Sequence, residues 1–566
     1  MVSHVAGPAL DASDHLADRL GPLLDLGAEV FPDRPAYSVV LPNGAHATLS
    51  FAEVKAYSDA IAFYLRRVAG LPPGTAVAVM APNCLAFPVV AKGIIKAGLI
   101  FTGINPLYTP REAQHQLADS QARVLFIIDL FGGALDQILA DTAVTRVVRL
   151  SLADLMPVAK AVLVRTALRL KGLAPKPDRR TIPLDTLVRE GRRAAADEPA
   201  GVAALFADRP VDEPLLYQYT SGTTGRSKGA AMSERNVIAN ASQTHHHNGE
   251  LYEPGVETGL VVMPLYHVMA LTFALIQAPR TAMHCVLAPQ PRPLSNLRPA
   301  FERFDITVLP GINTLFQALM TEPWFADRPP DRLKLCLSGA APLQKSTRER
   351  WETMTGCPIY EGYGLTEGTC VVTFPKLGEP QRHGTVGHPL PGTELKLVDD
   401  TGQVVPRGRP GEVVVRGPQV VLGYLNQPDA TGETIRDGWL HTGDIGVIDE
   451  DGALRIVDRK KDMIIVSGFN VYPAEVEDVL AQLPGVAQAA VIGVPSEATG
   501  EAVEAFVVKA DPALDEAAVL RHCTAHLTNY KRPRRVHFVP DLPKSPVGKI
   551  LRRQLRDQAG AERTPA

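Results

Sequence analysis

Residues 219–229 read Tyr219-Thr220-Ser221-Gly222-Thr223-Thr224-Gly225-Arg226-Ser227-Lys228-Gly229. Hydroxyls crowd around two glycines, and a lysine closes the run. Glycines let backbone N–H groups approach an anion, hydroxyls donate hydrogen bonds, and the lysine adds a point charge. The stretch therefore reads as a cradle for a polyphosphate. It is not a Walker A loop, because the G-x-x-x-x-G-K-[ST] spacing is absent. The competing reading is a plain Gly/Ser/Thr surface loop, so its surroundings must decide.

Upstream, helix and strand signals alternate. Ser50 and Glu53 form a capping-box pattern ahead of Val54, Tyr57, Ile61 and Leu65, which share one helical face. Residues 76–80 and 124–128 are short apolar runs of the buried-strand type. The most apolar long window, 86–104, holds Lys92 and Lys96 and reads as a packed helix running into a strand. This alternation predicts α/β layers with largely parallel sheets. From Lys461 onward the chain reads as a separate small unit. Pro473 stands where a helix can start, strands follow at 489–494 and 505–509, then a helix at 516–527 and a strand at 536–539. That is enough for a small α/β domain.

Composition narrows the class. The chain has 566 residues with 58 Lys and Arg against 61 Asp and Glu, a net charge of −3. A dedicated nucleic-acid binder would carry a basic excess, so no nucleic-acid partner is expected. Six cysteines are scattered with no C-x-x-C pair, which argues against a zinc site or a disulfide framework and fits a reducing cytoplasm. The first twenty residues lack the apolar core of a signal peptide, and no stretch is apolar enough to span a bilayer. One segment stands apart. Residues 155–180 interleave Lys160, Arg165, Arg169, Lys171, Lys176, Arg179 and Arg180 with Val158, Val162, Leu163, Leu168 and Leu170. It reads either as a solvated surface helix or as an amphipathic helix touching anionic lipid on the inner face of the cell membrane.

Further motifs follow the cradle in order. They are Ser338-Gly339-Ala340-Ala341-Pro342, Tyr360-Glu361-Gly362-Tyr363-Gly364-Leu365-Thr366-Glu367 and Asp437-Gly438-Trp439-Leu440-His441-Thr442-Gly443-Asp444. RIVDRKK at 455–461 and Pro543-Lys544-Ser545-Pro546-Val547-Gly548-Lys549 complete the set. With the cradle, these six segments resemble the adenylate-forming superfamily of acyl-CoA synthetases, adenylation domains and luciferases over nearly the whole chain. The resemblance implies an α/β fold with a large N-terminal domain, residues 1–460, of stacked β-sheets with flanking helices plus a distorted β-barrel. A small mobile C-terminal α/β domain, residues 461–566, would follow a hinge at Lys461. It also implies ATP, Mg²⁺ and coenzyme A, and a homodimer.

Site roles follow from the same resemblance. Thr220, Ser221, Gly222, Thr223, Thr224, Gly225 and Lys228 would hold the phosphates. Gly339, Ala340, Ala341, Glu361, Gly362, Tyr363 and Gly364 would frame adenine, with Tyr363 as a stacking face. Thr366 would donate to the α-phosphate, and Glu367 is a hard oxygen ligand suited to Mg²⁺. Asp444 and Arg459 would hold the ribose. Lys549 would offset charge as a carboxylate attacks phosphorus. Thr220, His267, Glu367 and Lys549 form the expected catalytic set. Ser467, Gly468 and Phe469 would line the pantetheine of coenzyme A.

Three stretches narrow the subgroup. DGWLHTGDIGVIDEDGALRIVDRKK at 437–461 resembles the fatty-acyl-CoA synthetase signature. Residues 264–272 carry Ala270 where the common form has glycine, and FDITVLPGINTL at 304–315 also looks like the bacterial long-chain fatty-acid–CoA ligases. Tyr266, His267, Met269, Asn313 and Thr314 are then the expected fatty-acid pocket. The alternative is a fatty acyl-AMP ligase that passes its adduct to an acyl carrier protein. One departure stands out: the relatives commonly read T-H-R-N where this chain has Ser233-Glu234-Arg235-Asn236, and Glu234 is expected to face away from the nucleotide.

Overall fold

The computed structural model describes residues 2–172, 178, 180–198, 200–207, 209–220, 226–248, 253–545 and 548–561. The two apolar runs expected as buried strands, Ala76–Met80 and Val124–Ile128, lie side by side with every residue buried. They form the middle of an eight-stranded sheet. Ile100–Ile104, Arg146–Leu150, Thr181–Pro183 and Pro214–Thr220 extend it in parallel, and Lys228–Ser233 and Gly423–Tyr424 close one edge antiparallel. A second sheet of seven strands runs Ile359–Glu361, Leu335–Ser338, Val308–Gly311, Thr258–Val261, His284–Leu287, Pro35–Val40 and His46–Ser50. Only the last pair is antiparallel. Both sheets and the helices Leu20–Val30, Phe51–Phe63 and Ala86–Lys96 share one hydrophobic core.

Local chemistry explains the helices. Ser50 Oγ accepts the backbone N–H of Glu53, and Glu53 returns a bond to the N–H of Ser50, so the first turn of Phe51–Phe63 has its free donors satisfied. The 86–104 window divides as expected into the Ala86–Lys96 helix and the Ile100–Ile104 strand. Its two lysines are buried. Lys96 Nζ lies 2.6 Å from Asp25 Oδ2, donates to Ser58 Oγ at 3.1 Å and also pairs with Asp59. Lys92 donates to the carbonyl of Leu24 and lies over the Tyr37 ring, while burial pulls its pKa down to about 8.

The third sheet occupies the place of the expected distorted barrel. It is six-stranded and antiparallel, with His4–Ala6, Glu394–Val398, Gly411–Arg416 and Trp439–Ile448 in order. Trp439–Ile448 then pairs with Ile435–Arg436 along its first half and with Leu454–Arg459 along its second. Past residue 461 a five-stranded sheet is built on Val486–Ser496 and Gly500–Lys509, with Ile464–Val466, Phe469–Val471 and Arg535–Phe538. It buries its own core, including Ile464, Val476, Leu480, Val491, Val507 and Cys523. Pro473 opens the helix Pro473–Ala481 as its first residue, as expected.

Candidate active site

The carboxyl ends of parallel strands converge on one cleft of about 1380 Å³, the usual place for a ligand in such sheets. Thr220 ends Pro214–Thr220 and Lys228 begins Lys228–Ser233. The two residues face each other across that ladder, so the cradle's ends are held together. Residues Ser221, Gly222, Thr223, Thr224 and Gly225 lie outside the described residues. Lys228 stands over the Tyr424 ring, 5.2 Å from its centroid, and the Tyr424 hydroxyl donates to Glu367 Oε1 at 2.6 Å. That chain ties the cradle's lysine to the acidic residue of the 360–367 motif.

The 338–342 turn, expected on the adenine side, sits where two strands end together. Ser338 pairs with Glu361 in register, and the N–H of Gly362 donates to the carbonyl of Ser338 at 2.9 Å. Ala340 takes a left-handed φ of 65° to make the turn after Gly339, and Ala341 follows into the cleft wall. Glu361 accepts the N–H of Leu343 at 2.8 Å, so its carboxyl fastens the far end of that turn. Burial pushes it up to about 7, helped by Asp478 from the C-terminal unit. Gly362 and Gly364 have no room for a side chain. A Cβ would fall 2.5 Å from the Phe374 ring at Gly362 and 1.7 Å from the Cys370 carbonyl oxygen at Gly364.

Asp444 is the hub of the cleft's polar wall. Its Oδ2 accepts the Tyr363 hydroxyl at 2.6 Å, and its Oδ1 lies 2.7 Å from Arg459 Nε. Asp444 and Arg459 are partners on neighbouring strands, so the ladder itself sets the pair. Thr366 and Glu367 open a short 3-10 turn on the same wall. Lys549 reaches this wall from the C-terminal unit. Burial lowers its pKa, as do Arg459 and Lys461, while Asp444 and Glu367 pull it back up. Its loop is pinned by Gly548, whose φ of 80° places it against Ile312 and Thr314.

Tyr266, His267, Met269, Asn313 and Thr314 all line the same cleft. Gln218 donates to the Tyr266 carbonyl at 2.6 Å, and Asn313 Oδ1 accepts the N–H of Gln344. His267 caps the short helix Val268–Leu271 through Nδ1, and burial with nearby Lys549 pushes its pKa down to about 4. Thr272, Phe273, Met283 and Val371 continue the lining beyond Met269. Not every expected residue meets here. Lys461 lines the cleft, but Ser467, Gly468 and Phe469 do not. Phe469 is exposed and stacks on Tyr530 at 4.8 Å. Glu234 is buried 4% exposed, pairs with Arg19 and accepts the N–H of Leu20, so it points to the first long helix. Tyr424 was missed in the sequence, because nothing local marks a tyrosine that reaches Glu367 from 57 residues away.

Comparison with known proteins gives the family. The AMP-binding enzyme family matches residues 24–425, and the AMP-binding enzyme C-terminal domain matches 475–549. The chain belongs to the AMP-binding enzyme family. Within it, the chain is 43% identical over 554 residues to a long-chain-fatty-acid–CoA ligase of Salmonella typhimurium, covering 94% of this chain and 97% of the relative. It is 43% identical over 549 residues to the enzyme of the same name from Escherichia coli O6:H1, covering 96% and 95%. The crystal structure of the anthranilate CoA ligase AuaEII with anthranoyl-AMP superposes with a TM-score of 0.85 at 27% identity, covering 98% and 99%.

Proposed function

We propose that this protein joins a long-chain fatty acid to coenzyme A through an acyl-AMP intermediate, releasing AMP and pyrophosphate. The observation that carries the reading is Lys549, which is partly buried and lines one cleft with Asp444, Glu367, Arg459, Thr220 and Lys228. The full-length likeness to long-chain-fatty-acid–CoA ligases supplies the acid and the thiol.

In the first half-reaction the fatty carboxylate attacks the α-phosphorus of ATP, and pyrophosphate leaves. The cradle 220–228 holds the leaving phosphates, and Thr366 steadies the α-phosphate. Glu367 is a single hard carboxylate beside the phosphate site, which fits Mg²⁺, an ion that takes one or two carboxylates and completes its shell with phosphates and water. Bound there, the ion would neutralise phosphate charge. Lys549 offsets the charge that builds on the reacting oxygens, so catalysis is mainly positioning and electrostatics. Tyr363 and Arg459 hold Asp444 for the ribose hydroxyls. His267, uncharged at neutral pH, borders the carboxylate's seat without adding a second cation beside Lys549.

In the second half-reaction residues 461–566 turn about Lys461. Lys549 withdraws, and Ser467, Gly468 and Phe469 replace it beside the pantetheine arm. The exposure of Phe469 in the present arrangement supports a second position for this loop. The sulfur, as the thiolate, then attacks the acyl carbon, the bond from that carbon to the phosphate oxygen breaks, and the thioester forms as AMP leaves.

The Val158–Leu170 helix, basic and partly apolar on its outer side, supports peripheral contact with an anionic membrane. No helix among the described residues is long and apolar enough to cross one. Mass spectrometry of products from ATP, Mg²⁺, coenzyme A and a ladder of fatty acids tests the main reading. Acyl-CoA with AMP, peaking at long chains, is expected; acyl-AMP that accumulates without thioester would replace it by transfer to a carrier protein.

A further inference from the structure

A groove of about 670 Å³ runs between the helices Val158–Leu170 and Leu184–Ala196 and shares no lining residue with the nucleotide cleft. Its wall combines two chemistries. Val158, Val162 and Val188 give it apolar surface, and Arg165, Arg189, Arg192 and Arg193 give it positive charge. The acids on the wall are Asp154 and Asp185, and Asp154 is already paired with Arg165 at 2.9 Å. Arg192 is steadied over the Tyr57 ring, 5.0 Å from its centroid. Arg189 and Arg193 are exposed at the rim.

The Val158–Leu170 helix is unusual in what it leaves outside. It turns Ala161 and Val164 inward and contains no acidic residue. Val158, Val162, Leu163 and Leu170 remain 82%, 57%, 70% and 84% exposed. Aliphatic side chains grouped on one exposed helix mark an interaction surface rather than chance exposure. Cations beside them match the interfacial helix that lies at the headgroup level of an anionic bilayer.

We propose that this groove binds the headgroup of an anionic phospholipid while Val158, Val162, Leu163 and Leu170 sit in the surrounding bilayer surface. This deepens the peripheral-membrane reading above and rests on it. A small anion from solution would satisfy the arginines but leave the four aliphatic side chains in water. A neutral lipid surface would cover the aliphatic side chains but leave the arginines without counter-charge. An anionic bilayer answers both demands at once. It also sets the enzyme on the surface where long-chain acids partition.

Sedimentation of the full chain with vesicles tests this. One set is phosphatidylcholine with phosphatidylglycerol, the other pure phosphatidylcholine, each at low and high salt. Wild type is expected to bind the phosphatidylglycerol vesicles and to release with salt. The double variant Arg189→Gln with Arg193→Gln is expected to bind them roughly 25-fold more weakly, at about fivefold per lost charge. Val162→Ser with Leu163→Ser is expected to weaken binding as well. Acyl-CoA formation from decanoate without vesicles stays at the wild-type rate in both variants, which shows that they fold. If wild type binds neither vesicle, the membrane reading and the headgroup site fall together. If wild type binds and the arginine variant binds equally well, the membrane reading stands and the headgroup site is overturned. If the arginine variant loses oleate binding in vesicle-free buffer yet keeps vesicle binding, the groove holds a free carboxylate instead.

Discussion

Asp458 and Ala474 tie the C-terminal unit to the rest of the molecule. Asp458 Oδ2, near the end of the Leu454–Arg459 strand, accepts the backbone N–H of Ala474 at 2.9 Å in the first turn of Pro473–Ala481. The first N–H groups of a helix have no partner within it, and a carboxylate supplied from outside is worth about 1 kcal/mol. The turn of the C-terminal unit proposed about Lys461 would break this bond. Asp458→Ala is therefore expected to slow adenylation about fivefold and to leave conversion of supplied acyl-AMP to acyl-CoA unchanged. Single-turnover assays of the two half-reactions check it, and equal slowing of both would reduce the bond to ordinary support of the fold.

The same contact surface predicts a pH response. Burial lifts Glu361 to about 7 and Asp458 and Asp478 to about 6, with Asp478 adding to the rise at Glu361 and Glu477 to the rises at Asp458 and Asp478. Arg348 and Arg552 oppose the rises at Glu361 and Asp458 without cancelling them. A carboxyl whose pKa is higher in the closed arrangement than in the open one takes up a proton on closing. The closed arrangement is then favoured as pH falls through 7 towards 6, and that advantage is lost as pH rises through 7. A fluorescence-transfer pair across the two units should report more closure at pH 6 than at pH 8, and Glu361→Gln should flatten the profile. More closure at pH 8 would reverse the assignment.

Lys549→Ala should separate the two half-reactions. The ammonium shares the cleft with Asp444, Glu367 and Arg459 and feels their charges, and in the proposed mechanism it meets the reacting phosphate oxygens in the first step only. Losing one such stabilising group costs roughly 100- to 1000-fold in rate. Adenylation, followed by pyrophosphate release, is expected to drop by that factor. Thioester formation from supplied acyl-AMP should stay within about twofold, since no charge on this lysine is needed there; a matching drop in both steps would sink the domain-alternation mechanism.

Some of this was legible in the sequence and some was not, and the reason is distance along the chain. The capping box of Ser50 and Glu53 closes over three residues, so pattern alone fixed it. Ala76–Met80 and Val124–Ile128 were readable because strands buried on both faces are apolar throughout. The site motifs were readable as motifs, yet their joints were not. Tyr424 reaches Glu367 across 57 residues, and Arg19 reaches Glu234 across 215. The apolar window around Lys96 did not show its partner, because Asp25 stands 71 residues away. The sequence marked 467–469 as a substrate loop but could not say that this arrangement leaves it outside the cleft.

That buried lysine makes a stability prediction. Lys96 is fully buried and holds Asp25 and Asp59, with Ser58 as a further acceptor. Removing the cation leaves Asp25 and Asp59 with the partly exposed Lys55 as their remaining cation, at 3.6 Å and 2.6 Å, so the cost falls below the roughly 3–5 kcal/mol of a fully unpaired buried charge. Lys96→Met should lower the urea midpoint accordingly. Adding Asp25→Leu and Asp59→Leu should recover part of the loss, because the two carboxylates that only Lys55 then compensates are gone. No recovery in the triple variant would mean that packing, not charge, sets the cost.

Gly364 gives the sharpest test of the nucleotide wall. The chain doubles back there: Tyr363 N–H donates to the Thr373 carbonyl at 3.0 Å, and Val372 N–H donates to the Tyr363 carbonyl at 2.9 Å. A Cβ on Gly364 would fall 1.7 Å from the carbonyl oxygen of Cys370, and that atom belongs to backbone that has no rotamer to yield. Gly364→Ala must therefore push the two segments apart next to Tyr363, whose hydroxyl now donates to Asp444 at 2.6 Å. Overpacking of this kind costs about 1–3 kcal/mol. If the shift falls on the Tyr363–Asp444 bond, calorimetry should show ATP affinity down by tenfold or more. Gly468→Ala is the control: its φ of 83° strains any side chain, but nothing lies within 4 Å of the new Cβ, so ATP affinity should hold. Unchanged ATP affinity in Gly364→Ala would separate the Tyr363–Asp444 contact from nucleotide binding.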